Sequence, residues 1–166
     1  MHKLIKLEAI GLIICILSLL IAYIYFDLIK ELDACTLCVL DRFLFFGISI
    51  IFTISIITNK KFFHKTIFSF NIILCLIGLI STIRHIWLQN FREQSSVEGF
   101  GCGGDFFYYI STLPLIDAIE NIFDNPTPCD EIKWQLFGLS IPMYTFILFL
   151  ILTIITVKIL MKGKHN

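Results

Sequence analysis

The sequence is poor in charged residues. They make up 16% of its 166 residues, whereas a soluble globular domain carries about 25%. Hydrophobic residues reach 57%, and a single core in a chain this short would leave much of that apolar surface in water. The composition therefore excludes a soluble monomer and indicates that lipid is the main solvent.

An excess of charge of either sign is also absent. Basic and acidic residues number 13 each, and the basic ones form short clusters beside apolar runs rather than the patch that nucleic-acid binding requires. The Gly-x-Gly-x-x-Gly match at residues 99–104 follows the polar segment 92–98 rather than an apolar strand, so it offers no flavin or nicotinamide site. Val39 rather than His follows the Cys-x-x-Cys segment, which excludes covalent c-type haem attachment.

Long apolar runs are what the sequence does have. Four runs carry no charge and meet or approach the roughly 17 to 25 residues of a membrane-spanning helix; they cover residues 9–26, 43–59, 66–83 and 134–157. The sequence therefore predicts an all-α integral membrane four-helix bundle, a single membrane domain over residues 1–166. We expect its spans at about 9–28, 39–58, 65–87 and 137–158.

The basic clusters predict the orientation of the bundle. They lie at one set of span ends: Lys3, Lys6, Lys60, Lys61, Lys65, Lys158, Lys162 and Lys164. By the positive-inside rule these ends, and with them both termini, are cytoplasmic. The remaining connections, about 29–38 and 88–136, then face outward.

The second outward loop is long enough to carry function. Within it, Ser111 and Thr112 precede an apolar stripe that continues to Phe123, a pattern typical of a short capped helix. The helix would lie flat on the outer membrane surface or pack on top of the bundle. A different reading of the N-terminus, a lipoprotein signal ending at Cys35, is disfavoured because charged residues separate the first apolar run from that cysteine.

Four of the six cysteines fall on the outward side of this topology. Cys15 and Cys75 lie inside apolar runs, where a thiol behaves as a small apolar side chain. An oxidising exterior favours two disulfide pairs, Cys35 with Cys38 and Cys102 with Cys129. A four-cysteine zinc site is the weaker alternative, since the second pair does not form a Cys-x-x-Cys knuckle.

The Cys-x-x-Cys pair favours redox chemistry over a structural role. The loop that it closes is too short to restrain much chain entropy, whereas the start of the second helix favours a thiolate at Cys38. Arg42, one turn further on, would stabilise that thiolate or an anionic acceptor. The alternative is that Arg42 snorkels to the interface, paired with Asp41.

The third span ends with a second group of polar residues. His85 and Gln89 share one helical face near the outer surface, and His85 would be able to hydrogen-bond a carbonyl of a lipid-soluble ligand. Trp87 fits an aromatic anchor in the interface. Alone, this group is a weak indication of a site.

Together these motifs resemble the disulfide bond formation protein B (DsbB) family, and the resemblance covers nearly the whole chain. It rests on the four spans, the Cys-x-x-Cys followed by Asp41 and Arg42, the segment from His85 to Gln89, and the spacing of Cys129, Trp134, Gly138 and Pro142. Two features depart from the family pattern. Asp41 replaces the usual Glu, and glycines flank Cys102 on both sides.

The resemblance implies an enzyme of the bacterial inner membrane whose redox loops are periplasmic, the longer one containing the short interfacial helix. Such an enzyme reoxidises a periplasmic thioredoxin-like protein of the DsbA type and passes the electrons to a quinone, ubiquinone or menaquinone. The implied catalytic residues are Cys35, Cys38, Cys102 and Cys129. Cys102 would form the mixed disulfide with DsbA, Cys129 would be its partner, Cys35 would exchange with that pair, and Cys38 would face the quinone. Arg42, His85 and Gln89 would line the quinone site beside Cys38, and the resemblance implies no metal.

Three other readings remain open at this point. A paralogue dedicated to one special thioredoxin-like partner would share all these motifs. A non-catalytic membrane protein would use the four outward cysteines only as staples. An oxidase similar to vitamin K epoxide reductase would carry its Cys-x-x-Cys late in the bundle, whereas here it precedes the second span.

Overall fold

The structure is a computed structural model that describes residues 2–32, 34–58, 61–91, 111–114, 116–117, 132 and 134–163. Within them, helix α1 covers His2–Leu20 and continues as a π-helical segment, Ile21–Ile29. Helices α2, α3 and α4 cover Thr36–Ile57, Lys61–Phe91 and Ile141–Gly163. A two-stranded antiparallel sheet, β1 (Gln135–Leu136) and β2 (Leu139–Ser140), precedes α4.

Among the described residues, four helical segments are long and apolar enough to cross a membrane: Ile5–Ile29, Thr36–Ile57, Thr66–Asn90 and Ile141–Met161. The predicted helical membrane architecture is therefore confirmed. Extensive contacts join α1 to α2, α2 to α3, α3 to α4 and α4 back to α1, so the helices form a closed ring. The α1–α4 interface is the least extensive of the four.

The centre of the ring is a tightly packed apolar core. Phe45 and Phe149 stack with ring centroids 4.4 Å apart, and Phe52 packs against Phe68 at 5.9 Å. Cys15 and Cys75 are fully buried in this core, which agrees with their interpretation as small apolar residues. The outer faces carry large exposed Ile, Leu and Phe side chains, as expected of helices that contact lipid.

Helix α4 begins later than the sequence predicted. Residues 137 and 138 form a tight turn between the two strands instead of the first turn of the helix. Phe137 and Gly138 both have positive φ, 51° and 78°, which is the signature of a two-residue type I′ hairpin turn. Pro142 then lies in the first helical turn, where its missing N–H costs little.

The predicted helix over residues 111–123 falls largely outside the described residues. Ser111, Thr112, Ile116 and Asp117 have helical backbone. Its placement on the membrane surface or on the bundle stays a prediction. Cys102 and Cys129 also lie outside the described residues.

Candidate functional site

The start of α2 places the Cys-x-x-Cys pair at one end of the bundle. Cys35 has extended backbone and is the N-cap residue, and Val39 N–H donates to its carbonyl oxygen at 3.0 Å. Cys38 therefore sits in the first helical turn, where the positive end of the helix dipole is strongest. The two sulfur atoms lie 3.1 Å apart.

Helix α3 brings His85 to this pair from the other side. Its Nε2 atom lies 3.7 Å from the sulfur of Cys35. His85 and Cys35 are 2% and 6% exposed, whereas Cys38 is only partly buried. Leu37 and Leu88 pack beside the group and shield it from water. The structure thus brings together three residues that the sequence analysis had taken from two separate motifs.

Asp41 is buried next to this group. Its carboxylate interacts electrostatically with His85 and Cys35 and lies close to the hydroxyl of Ser81, although the geometry falls short of a strict hydrogen bond. The Oδ1 atom has no hydrogen-bond partner within the described part of the chain. The site therefore holds a buried acidic side chain beside an imidazole and two thiols.

Arg42 does not pair with Asp41. Its guanidinium makes a two-pronged ion pair with Asp27 of the π-helical segment, at 2.6 and 2.7 Å. A further bond of 3.3 Å goes to the carbonyl oxygen of Ala22, and the ring of Tyr23 lies 4.8 Å from the guanidinium carbon. The alternative in which Arg42 pairs with Asp41 is wrong, because Asp41 points into the bundle while Arg42 faces α1.

Arg42 nevertheless remains near the thiols. It interacts electrostatically with Cys38, and both side chains line the same cavity. Asp27 was missed as a site residue because it lies on a different helix. The only sequence signal was an isolated acidic residue just after a long apolar run.

A cavity of about 490 Å³ opens beside the cysteines, between α1 and the start of α4. Its walls are mostly apolar, and Cys35, Cys38, Arg42, His85 and Gln89 form one polar part of its lining. Volume and polarity are those of a site for a small apolar ligand with a polar head. All five described residues that the sequence assigned to the site line this cavity.

An aromatic group closes the outer side of the cavity. Trp134, just before the hairpin, packs edge-on against Phe26 at 5.2 Å and against Tyr25 at 6.4 Å. Tyr144 fixes the hairpin to α4 by donating a hydrogen bond of 2.8 Å to the carbonyl oxygen of Leu136. The resemblance motif contained Trp134 but gave it no role, and the structure places it on the cavity wall.

Comparison with known proteins agrees with this site. The family model described as "Disulfide bond formation protein DsbB" matches residues 6–159. The chain belongs to the DsbB family. It is 30% identical to the Disulfide bond formation protein B of Nitrosococcus oceani, over 89% of this chain and 85% of that protein.

Other DsbB relatives are similarly close. The chain is 31% identical to the proteins of that name from Saccharophagus degradans and Methylobacillus flagellatus. These alignments cover 84% and 81% of this chain, and 83% and 80% of the two relatives. Family membership and the four spans identify this chain as a multi-pass membrane protein of disulfide formation, a disulfide-forming oxidoreductase.

Proposed function

We propose that this DsbB-family chain reoxidises a periplasmic DsbA-type dithiol protein and delivers the electrons to a membrane quinone. The observation that carries the proposal is the position of Cys38 and His85 in the lining of a mostly apolar cavity. A non-catalytic protein whose disulfides only hold its loops together would not require such a cavity. A quinone bound there would accept two electrons and two protons.

The cavity fits a quinone in its chemistry as well as its size. The Oε1 atom of Gln89 is buried without a hydrogen-bond partner in the described part of the chain, so a ligand O–H donor, such as a hydroxyl of the reduced quinone, would satisfy it. Arg42 and His85 supply donors in the same part of the lining, and the apolar walls suit an isoprenoid tail. Arg42, His85 and Gln89 would hold the ring, with Cys38 beside it.

The chain's own chemistry is a dithiol–disulfide cycle. Oxidation of the Cys35–Cys38 pair forms one S–S bond and releases two electrons and two protons. The positive end of α2 and the nearby Arg42 favour the thiolate through which the cycle proceeds. Burial of Cys35 beside His85 shields its sulfur from water, while Cys38 stays accessible from the cavity.

An electron acceptor is required on energetic grounds. DsbA has a potential of about −120 mV, whereas structural disulfides lie below about −300 mV, a gap of roughly 180 mV or six decades for two electrons. An ordinary loop disulfide would therefore not oxidise DsbA. By the family resemblance, Cys102 and Cys129 would accept electrons from DsbA and pass them to Cys35. We place these steps at the periplasmic face of the inner membrane, with both termini cytoplasmic.

The first prediction tests this function directly. The purified protein in detergent, with a chelator present, should oxidise a reduced DsbA-type protein when ubiquinone or menaquinone is added. Cys38→Ser should abolish quinone reduction, and Cys102→Ser should abolish attack by DsbA while leaving the Cys35–Cys38 pair oxidisable by quinone. Cys15→Ser and Cys75→Ser serve as matched controls, because both thiols are buried away from the cavity. A folded Cys38→Ser protein with normal turnover would contradict the proposal.

A further inference from the structure

Three metal-ligating atoms meet in the lining of the cavity. The sulfurs of Cys35 and Cys38 and the Nε2 atom of His85 all lie within 4.8 Å of one another. Two thiolates and one imidazole form a donor set that zinc prefers. We propose that the reduced Cys35–Cys38 pair and His85 bind a thiophilic divalent cation of the zinc type, and that oxidation of the pair abolishes binding. This donor set differs from the four outward cysteines considered above.

The distances fit such an ion. Tetrahedral zinc with bonds of about 2.3 Å to sulfur and about 2.0 Å to nitrogen keeps its ligand atoms roughly 3.5 to 3.8 Å apart. The Cys35–His85 separation of 3.7 Å lies within that range. The two sulfurs, 3.1 Å apart, are closer than an ion requires. A small rotation of the partly exposed Cys38 side chain would separate them.

Asp41 lies near His85, and we expect it to become the outer partner of that histidine when a metal ion is bound. Such a histidine commonly donates its second ring N–H to a carboxylate, which fixes the ring and increases its basicity. The Asp41 carboxylate is buried and interacts electrostatically with both His85 and Cys35. Three protein ligands leave the fourth position for a water molecule, and the adjoining cavity has room for one.

Charge balance favours binding at this depth. Two neutral thiols lose two protons and take up one dication, so the site and its ion together keep the charge that the free thiols had. An isolated charge at the same position would be costly to bury. Formation of the Cys35–Cys38 disulfide removes both thiolate ligands and leaves only His85, so metal binding and oxidation compete. The site requires only the reduced pair and does not depend on the identity of the electron acceptor.

Cobalt titration tests the proposal without any turnover. The full chain with Cys102→Ser and Cys129→Ser, in detergent, would be reduced with a phosphine, desalted under anaerobic conditions and titrated with Co²⁺. We expect one cation per chain, a sulfur-to-cobalt charge-transfer band and the visible bands of a tetrahedral site, all removed by added Zn²⁺. Adding the thiol oxidant diamide should release the cobalt.

Variants assign the ligands. In the Cys102→Ser/Cys129→Ser background, the double change Cys35→Ser/Cys38→Ser should eliminate the bands. Asp41→Asn, which removes the expected outer partner of His85, should weaken cobalt binding by roughly 10- to 100-fold. His85→Gln, which removes a ligand, should weaken cobalt binding by more than that. Cys15→Ser and Cys75→Ser should bind like the parent. Circular dichroism and size-exclusion profiles identify any variant that fails to fold, and Cys38→Ser alone, at a partly exposed position, provides a second test.

Three results would overturn the metal site. They are unchanged bands in the Cys35→Ser/Cys38→Ser protein, equal binding before and after oxidation, and no binding to folded, reduced protein at millimolar cobalt. Normal cobalt spectra from a protein that never reduces quinone would instead contradict the proposed function alone. The two proposals can therefore fail separately.

Discussion

At the residue scale, the pairing of Arg42 with Asp27 changes what a mutation at either position should do. The guanidinium has two short bonds to Asp27, and the side chains of Arg42 and Asp27 are 13% and 32% exposed. A pair this well shielded from solvent holds the guanidinium in one orientation. Asp27 therefore acts as a positioning residue for Arg42 at the cavity.

We predict that Asp27→Asn weakens the quinone site through Arg42. Loss of a charge-assisted bond of about 1.5 to 3 kcal/mol corresponds to roughly 10- to 150-fold in the affected constant. The apparent quinone Michaelis constant should rise in Asp27→Asn and in Arg42→Ala, and the double variant should be little worse than either one. Arg42→Lys, which keeps the charge but loses the planar fork, should show a partial defect.

Glu31→Gln is the matched control for that cycle, since Glu31 is an exposed acidic residue just after the π-helical segment that contains Asp27. Its quinone dependence should equal that of the unaltered protein. Additive effects of Asp27→Asn and Arg42→Ala would show that the two residues act independently, contrary to the prediction.

The residues of the site differ in how well the sequence predicted them. Cys35 and Cys38 form one motif, and His85 and Gln89 lie one helical turn apart, so local spacing alone places each pair on one face. Asp27 and Arg42 are brought together only by the packing of α1 on α2, which no spacing reveals. For the same reason the contact between His85 and Cys35 required the structure.

At the element scale, Gly11 allows a close approach between two helices. A Cβ atom on Gly11 of α1 would lie 2.6 Å from the ring of Phe52 on α2, which is fully buried. We predict that Gly11→Ala destabilises the protein by about 1 to 3 kcal/mol, the usual cost of overpacking a core. Thermal unfolding in detergent is the measurement.

Gly47→Ala is the control for Gly11. Its added Cβ would meet only the Leu74 side chain, at an ordinary contact distance of 3.5 Å. It should be neutral or stabilising by up to about 1 kcal/mol, because alanine favours a helix. Adding Phe52→Leu to Gly11→Ala should recover part of the lost stability. Equal unfolding temperatures for Gly11→Ala and Gly47→Ala would disprove the steric explanation.

A buried polar contact joins α3 to α4. The amide of Asn71 donates to the hydroxyl oxygen of Thr156 at 3.1 Å, and both residues are fully buried. A double-mutant cycle of Asn71→Leu and Thr156→Val should give a coupling of about 0.6 kcal/mol, and at most about 1.7, as for other hydrogen bonds between membrane helices. Thr53→Val, which removes a hydroxyl that donates to the carbonyl oxygen of Ser49 in the same helix, should show no coupling to Asn71→Leu.

The sequence predicted the helices better than it predicted the segments between them. Charge-free length is sufficient to predict a span, because the bilayer fixes how many residues are needed. The same criterion placed the start of the fourth span at about residue 137, inside the hairpin, since an apolar hairpin and an apolar helix have the same composition. The turn at Phe137 and Gly138 depends on their backbone conformation, which composition does not reveal. The length of an apolar run likewise does not show that the end of α1 is π-helical.

At the scale of the whole molecule, the orientation across the membrane is the most direct prediction. After reduction, an impermeant thiol reagent added to intact spheroplasts should label at least one of the outward cysteines, Cys35, Cys38, Cys102 or Cys129. Cys15 and Cys75 should react only after the membrane is dissolved, because both are fully buried in the bundle core. Labelling from outside of a cysteine engineered into residues 60–65 would reverse the orientation.

The cavity reaches the lipid-facing side of the bundle. Among its lining residues, Leu17 and Ile21 of the first span and Ile147 of α4 are 52%, 53% and 43% exposed. An apolar ligand can therefore enter sideways from the bilayer, and the concentration that governs its binding is its mole fraction in the membrane. Adding lipid at constant total ligand should then lower occupancy by surface dilution, even when the aqueous volume does not change.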